Sequence, residues 1–102
     1  MTTYKNLKML NEIAKKSRRG MWIGSANEDP HLLFHWIHGF MMALTKKESK
    51  IMEKFIEAIY EKYGKDGGYG WYKSLQNKSV GNKEAVELFF KEYCKFFEAN
   101  IS

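Results

Sequence analysis

The fifteen residues from Pro30 to Leu44 contain no Lys, Arg, Asp or Glu, and ten of them are apolar. No other stretch of the chain limits the fold as tightly. It has no period-2 strand pattern. As a helix it is apolar over most of its circumference, and such a helix is buried by its neighbours. Its start is well marked. Asp29 can accept from a free first-turn N–H, and Pro30 suits the first helical position, where its missing N–H would have had no partner. The stretch predicts a helix over 30–44 at the centre of the fold.

At about 100° per residue this helix has two faces. Leu33, Trp36, Ile37, Phe40 and Leu44 fall on one. His31, His35, His38 and Met42 fall on the other, within about 60° of one another. Gly39 lies between the faces. Glycine weakens a helix relative to alanine, so a close backbone contact is expected there.

The rest of the chain supplies the packing partners. Residues 3–17 read as a helix with Tyr4, Leu7, Leu10, Ile13 and Ala14 on one face, Thr2 or Thr3 as its cap and Gly20 past its end. Residues 18–29 read as a loop that holds Met21, Trp22 and Ile23 between Gly20 and Gly24. Burial tendencies favour a hydrophobic plug at one end of the core, with the glycines supplying the bends. The rival reading is an exposed aromatic anchor of the kind that dominates interfaces.

Thr45-Lys-Lys-Glu48 is a capping box. It opens a helix over 46–63, striped by Ile51, Met52, Phe55, Ile56, Ile59, Tyr60 and Tyr63, with rows of Glu and Lys outside. Residues 64–70 are glycine-rich but lack the Gly-Lys-Ser/Thr ending of a phosphate loop. A short helix is expected near 71–76, with Trp71, Tyr72 and Leu75 facing inward. Gly81 or Asn82 opens the last helix, 82–98. Its apolar side holds Val86, Phe89, Phe90, Tyr93, Phe96 and Phe97, and the two Phe-Phe pairs make it wide enough for two neighbours. The expectation is an all-α single domain over 1–102, a bundle of four main helices and one short one.

Charge and cysteine usage narrow the function classes. Residues 1–19 hold six Lys/Arg and one Glu, which is the whole of the net charge of +5. Lys15, Lys16, Arg18 and Arg19 sit where cations offset the negative end of the first helix. The alternative is a patch for anions or nucleic acid, which would include Lys5 and Lys8. The lone Cys94 excludes an internal disulfide and a four-cysteine metal site and suits a reducing compartment. Residues 1–16 have no apolar signal core, and no apolar run reaches the ~20 residues of a membrane span. A cytoplasmic protein without membrane contact is expected.

Candidate chemistry is sparse. Two imidazoles four residues apart can chelate a transition metal, so His31, His35 and His38 invite a metal reading. Three ligands on one straight helix do not readily reach one tetrahedral centre, however, and no acid on that helix orients the rings. A polar strip or partner surface is the expected role, with no metal and no cofactor. Cys94 lies in an aromatic helix, away in sequence from cations or a helix start, and reads as a small core residue. No convergent acids and no nucleophile–base pair are legible, so an enzyme is not expected.

Two resemblances meet at residues 19–44. Arg19-Gly-Met-Trp-Ile-Gly-Ser25, followed by Leu33-Phe-His-Trp-Ile37, is similar to the Arg-Pro-Gly-Met-Tyr-Ile-Gly segment and following helix of gyrase B-type ATPases. Gly39, Met42 and Ala43 stand where that family needs its Glu, Asp and Asn, so the similarity implies no ATPase activity. The whole layout resembles an uncharacterised set of small bacterial all-α proteins. Their pattern is Arg-x-x-Met-aromatic-aliphatic-Gly, then a helix with Gly followed by Tyr or Phe, a Trp, and a final Phe-Phe helix. The matching residues are Arg18 or Arg19, Met21, Trp22, Ile23, Gly24, Gly39, Phe40, Trp71, Phe89 and Phe90. That set has no activity to carry over, but small solitary bacterial domains are often immunity proteins or dedicated inhibitors, and this analogy gives the expected role.

These readings together predict a non-enzymatic module that binds a specific protein, with an acidic partner surface favoured by the basic N-terminal segment. The expected contact residues are Trp22, Tyr69, Trp71, His31, His35 and His38. A homodimer through the histidine face is the other protein partner foreseen. The alternative function is nucleic-acid binding through Lys15, Lys16, Arg18 and Arg19.

Overall fold

Leu7, Leu10, Ile13 and Ala14 recur at three- and four-residue steps, and only a helix puts all of them on one face. In the computed structural model all four are buried on α1 (Lys5–Ala14). The structure describes residues 4–65 and 70–101. It continues with α2 (Gly20–Ile23), a 3-10 turn (Gly24–Asn27), α3 (Pro30–Met41), α4 (Lys46–Tyr63), α5 (Trp71–Asn77) and α6 (Asn82–Asn100). There is no strand among the described residues. The Cα radius of gyration of 12.9 Å is that of one domain of this length, for which about 13 Å is expected. The all-α single-domain fold is therefore as the sequence predicts. No helix among the described residues is long and apolar enough to cross a membrane.

The caps of α3 and α4 follow the sequence. Asp29 Oδ1 accepts the backbone N–H groups of His31 at 2.8 Å and Leu32 at 3.4 Å, with Pro30 at the first position. Thr45 and Glu48 close the capping box reciprocally: Thr45 Oγ1 accepts the Glu48 N–H at 3.2 Å, and Glu48 Oε1 accepts the Thr45 N–H at 3.1 Å. Gly64 ends α4 at φ +85°, a left-handed conformation that suits glycine.

Glu48 has a second role that the box alone does not reveal. Its side chain is buried against the first turn of α1. Oε2 accepts the backbone N–H groups of Asn6 at 2.9 Å and Leu7 at 3.2 Å, and Oε1 accepts the Asn6 side-chain amide at 3.0 Å. The residue preceding α1, Tyr4, makes no side-chain cap and sits at φ +64°. Two of the orphan donors of α1 are thus satisfied by a carboxylate from α4. Thr2 and Thr3, the expected caps, lie outside the described residues.

The core is built on α6 rather than on the 30–44 helix. Helix α6 buries Ala85, Val86, Phe89, Phe90, Tyr93 and Phe97 and packs against α1, α3, α4 and α5. Phe55 of α4 meets Phe89 and Tyr93 edge-to-face at centroid distances of 5.4 and 5.3 Å. Each such pair contributes roughly 0.5–1.5 kcal/mol beyond its buried area. The Tyr93 hydroxyl donates to the Leu7 carbonyl at 2.7 Å, which satisfies its only buried polar atom. Burial, and behind it the charges of Cys94 and Glu48, pushes its pKa well up. Helix α3 buries only Pro30, Leu33 and Ile37. Its other apolar residues are shared with solvent: Leu32 is exposed, as is Met42 just past its end, and Trp36 stacks on Phe40 at 5.7 Å with both rings half-buried.

Three further expectations are corrected. The first helix stops at Ala14, three residues early, because the Ala14 carbonyl is taken by the Arg19 guanidinium at 3.2 Å rather than by another turn. The 18–29 stretch is not a loop but two short helical elements. Gly39 meets no close neighbour. The tight approach is at Gly70, where an added Cβ would lie 2.2 Å from the Phe34 ring.

Candidate partner-binding corner

The Arg-Gly-Met-Trp-Ile-Gly segment is shaped by its first residue. Arg19 is buried, and its fork reaches three elements. Nε donates to Asn27 Oδ1 at 2.9 Å, Nη1 to the Ala14 carbonyl, and Nη2 to Glu87 of α6. The guanidinium also lies 4.6 Å from the Phe90 ring centroid. Only arginine offers this planar set of donors together with a stacking face. Gly24, at φ +60°, supplies the left-handed residue that ends α2.

With Arg19 fixed and Ile23 buried, the single turn of α2 cannot also bury Met21 and Trp22, since successive residues point about 100° apart. Met21 is 79% exposed and Trp22 58% exposed. The plug expected from the sequence is therefore Ile23 alone, joined by Ala26 of the 3-10 turn. Met21 and Trp22 instead form one wall of an open cleft of about 750 Å³, whose other lining residues are Glu12, Lys15, Lys16, Ser17 and Arg18. Lys16 Nζ stands 5.2 Å from the Trp22 ring centroid, within cation–π range. The result is an apolar, aromatic surface rimmed by three exposed cations and one carboxylate.

The expected contact residues separate into distinct places. Trp22 presents itself at this corner, with Lys15, Lys16 and Arg18 beside it. Arg19 does not belong to an anion surface, because its fork is consumed inside the fold. Trp71 is not an exposed anchor: it is buried and stacks on Phe89 at 4.6 Å, because a large ring at the start of α5 meets the Phe face of α6. Tyr69 lies outside the described residues. His31, His35 and His38 are exposed on α3, as their spacing predicts, and none of them lines the corner cleft.

Sequence reasoning missed a second cleft of about 460 Å³ between α3 and α4, lined by Phe34, Tyr60 and Trp71 together with Glu53, Glu57 and His38. Its only sequence signal was the aromatic content of the two helices. Cys94 is half-buried, and burial raises its thiol pKa against the lowering influence of Lys15. That environment suits a packed thiol rather than a thiolate nucleophile. No protein-family model, curated protein or solved structure matches this chain.

Proposed function

We propose that this protein is a non-enzymatic binding module that holds one specific protein partner, as an immunity or inhibitor protein does. The observation that carries this reading is Trp22. Its indole is largely exposed on a turn anchored by buried Ile23 and Arg19, with Lys15, Lys16 and Arg18 around it. Leaving a large apolar side chain in water forgoes roughly 1.5–3 kcal/mol of burial. A rigid aromatic anchor of this kind loses little entropy when a partner covers it. The surrounding cations favour an acidic partner surface and speed its encounter. The inhibitor role itself is an analogy with other small solitary bacterial domains. The single cysteine suits a cytoplasmic setting.

The test is capture by the immobilised full chain from a lysate of its own host at moderate salt, with mass spectrometry of what stays bound. A single stoichiometric protein held by the wild type and released by Trp22→Ala supports the reading. Equal capture by Trp22→Ala moves the site away from the corner.

A second reading rests on the Lys16–Trp22 pair. A tryptophan face among cations is also a platform on which single-stranded bases stack. It predicts oligonucleotide affinity that falls steeply with salt. No mobility shift of a single-stranded oligonucleotide at low salt removes it.

A further inference from the structure

We infer that His31 and His35 form a two-histidine site for a divalent transition-metal ion. The geometry is already set in the polypeptide. The first turn of α3 is fixed by the Asp29 cap, whose carboxylate accepts the His31 backbone N–H at 2.8 Å. One turn on, His35 stands directly above His31. Their ring centroids are 4.6 Å apart with planes at 69°, and the two Nε2 atoms approach to 3.2 Å. Neighbouring rings restrict both imidazoles: Tyr72 of α5 lies 5.0 Å from His31, and Phe34 lies 5.6 Å from His35.

The separation of 3.2 Å is short enough for both nitrogens to bind one ion. Metal–imidazole bonds of about 2.0–2.1 Å drawn to one ion from nitrogens so spaced enclose an angle of about 100–106°. That value falls between the right angle of a square-planar centre and the tetrahedral angle. Both histidines are exposed, so the pair is open to an ion from solvent.

His38 is not part of this site. Its Nδ1 is engaged with the Phe34 carbonyl at 3.0 Å, and its ring packs on the other flank of Phe34 at 4.3 Å. Among the described residues no third His, Cys, Asp or Glu joins the pair. Water fills the remaining positions. Neutral imidazoles select Cu(II), Ni(II) and Zn(II) over the oxygen-seeking Mg(II) and Ca(II), with Cu(II) bound most tightly of the three. This departs from the sequence expectation of no metal, which rests on the poor convergence of three histidines and the absence of an orienting acid. Two suffice for a chelate.

The competing account of the 3.2 Å contact is a hydrogen bond between two neutral rings, and calorimetric titration separates the two. The untagged full chain is titrated with Cu(II), Zn(II) and Mg(II). The proposal expects one equivalent of Cu(II) or Zn(II) and none of Mg(II). Affinity should fall at least about tenfold in His31→Ala and in His35→Ala, since each removes half of the chelate, and stay unchanged in His38→Ala. All three side chains are exposed, and far-UV circular dichroism checks that each variant is folded. Absence of saturable Cu(II) or Zn(II) binding overturns the proposal. So does a loss in His38→Ala equal to that in His35→Ala, which would show diffuse binding to surface imidazoles.

Discussion

The carboxylate of Glu48 accepts the backbone N–H of Leu7 at 3.2 Å, across 41 residues of chain. The same two oxygens serve Thr45 and Asn6, so one side chain caps two helices at once. Glu48→Ala leaves several partly buried donors without acceptors, each costing roughly 1–3 kcal/mol. The expected destabilisation is about 3 kcal/mol or more, read from urea unfolding midpoints at neutral pH. Glu48→Gln keeps the shape but turns one acceptor into a donor, and should cost less than the alanine variant.

The same carboxylate makes stability depend on pH. Burial tends to raise the Glu48 pKa, but the hydrogen bonds from Thr45, Asn6 and Leu7 outweigh it and hold it below the ordinary 4.5. A depressed folded-state pKa contributes stability that is fully present above the unfolded-state value. That stability is lost as pH falls through the folded value. Unfolding midpoints measured through the acid range should therefore fall less steeply in Glu48→Gln than in the wild type. Equal acid limbs would contradict the assignment.

Adjacent arginines should behave oppositely. Arg19 is buried and bonded to Ala14, Asn27 and Glu87, whereas Arg18 is exposed on the rim of the corner cleft. Arg19→Ala removes the buried guanidinium that bonds the Ala14 carbonyl and Asn27 and packs on Phe90, with an expected loss of about 2–4 kcal/mol. Arg19→Lys keeps the charge but not the fork and should recover only part of it. Arg18→Ala should stay within about 0.5 kcal/mol of wild type, the usual range for surface substitutions. Thermal or chemical denaturation of the three variants checks this order.

Glycine substitutions form a second contrasting pair. Gly39 lies inside α3 with open space where a Cβ would go, so Gly39→Ala should stabilise by up to about 1 kcal/mol. At Gly70 the new methyl would collide with the Phe34 ring, so Gly70→Ala should cost about 1–3 kcal/mol. Melting temperatures that shift in the same direction would show that one of these surroundings is misassigned.

Trp22→Ala separates binding from folding. Because the indole is largely exposed, its removal should change stability by about 0.5 kcal/mol or less. If Trp22 is the central contact, partner affinity should fall by about 2 kcal/mol, roughly thirtyfold. A titration of the captured partner reads the second number, and urea unfolding reads the first.

Most of the architecture was legible because it depends on local rules. The Asp29-Pro30 start, the Thr45–Glu48 box and the apolar stripes of α4 and α6 each follow from residues within a few positions of one another. The misreadings arise where a distant residue decides the outcome. Arg19 looks like one more cation in a basic run, and only the fold brings Asn27 and Glu87 to its donors. The 30–44 stretch is the most apolar in the chain but not the most buried, because periodicity gives the width of a face and not the number of neighbours that cover it. For the corner site, Trp22 and the flanking cations were visible in the sequence. That Ile23 turns inward while Met21 and Trp22 turn out was not, because a four-residue helix has no period to read.

Leu7 is held at both ends of its backbone. Its N–H is taken by Glu48 of α4, and its carbonyl by the Tyr93 hydroxyl of α6. The first turns of helices ordinarily fray, and their amides exchange with solvent through small local openings. Here the opening of that turn must break contacts with two other helices. The Leu7 amide should therefore exchange its hydrogen on the timescale of global unfolding, so that a first-turn position of α1 reports the opening of the whole core.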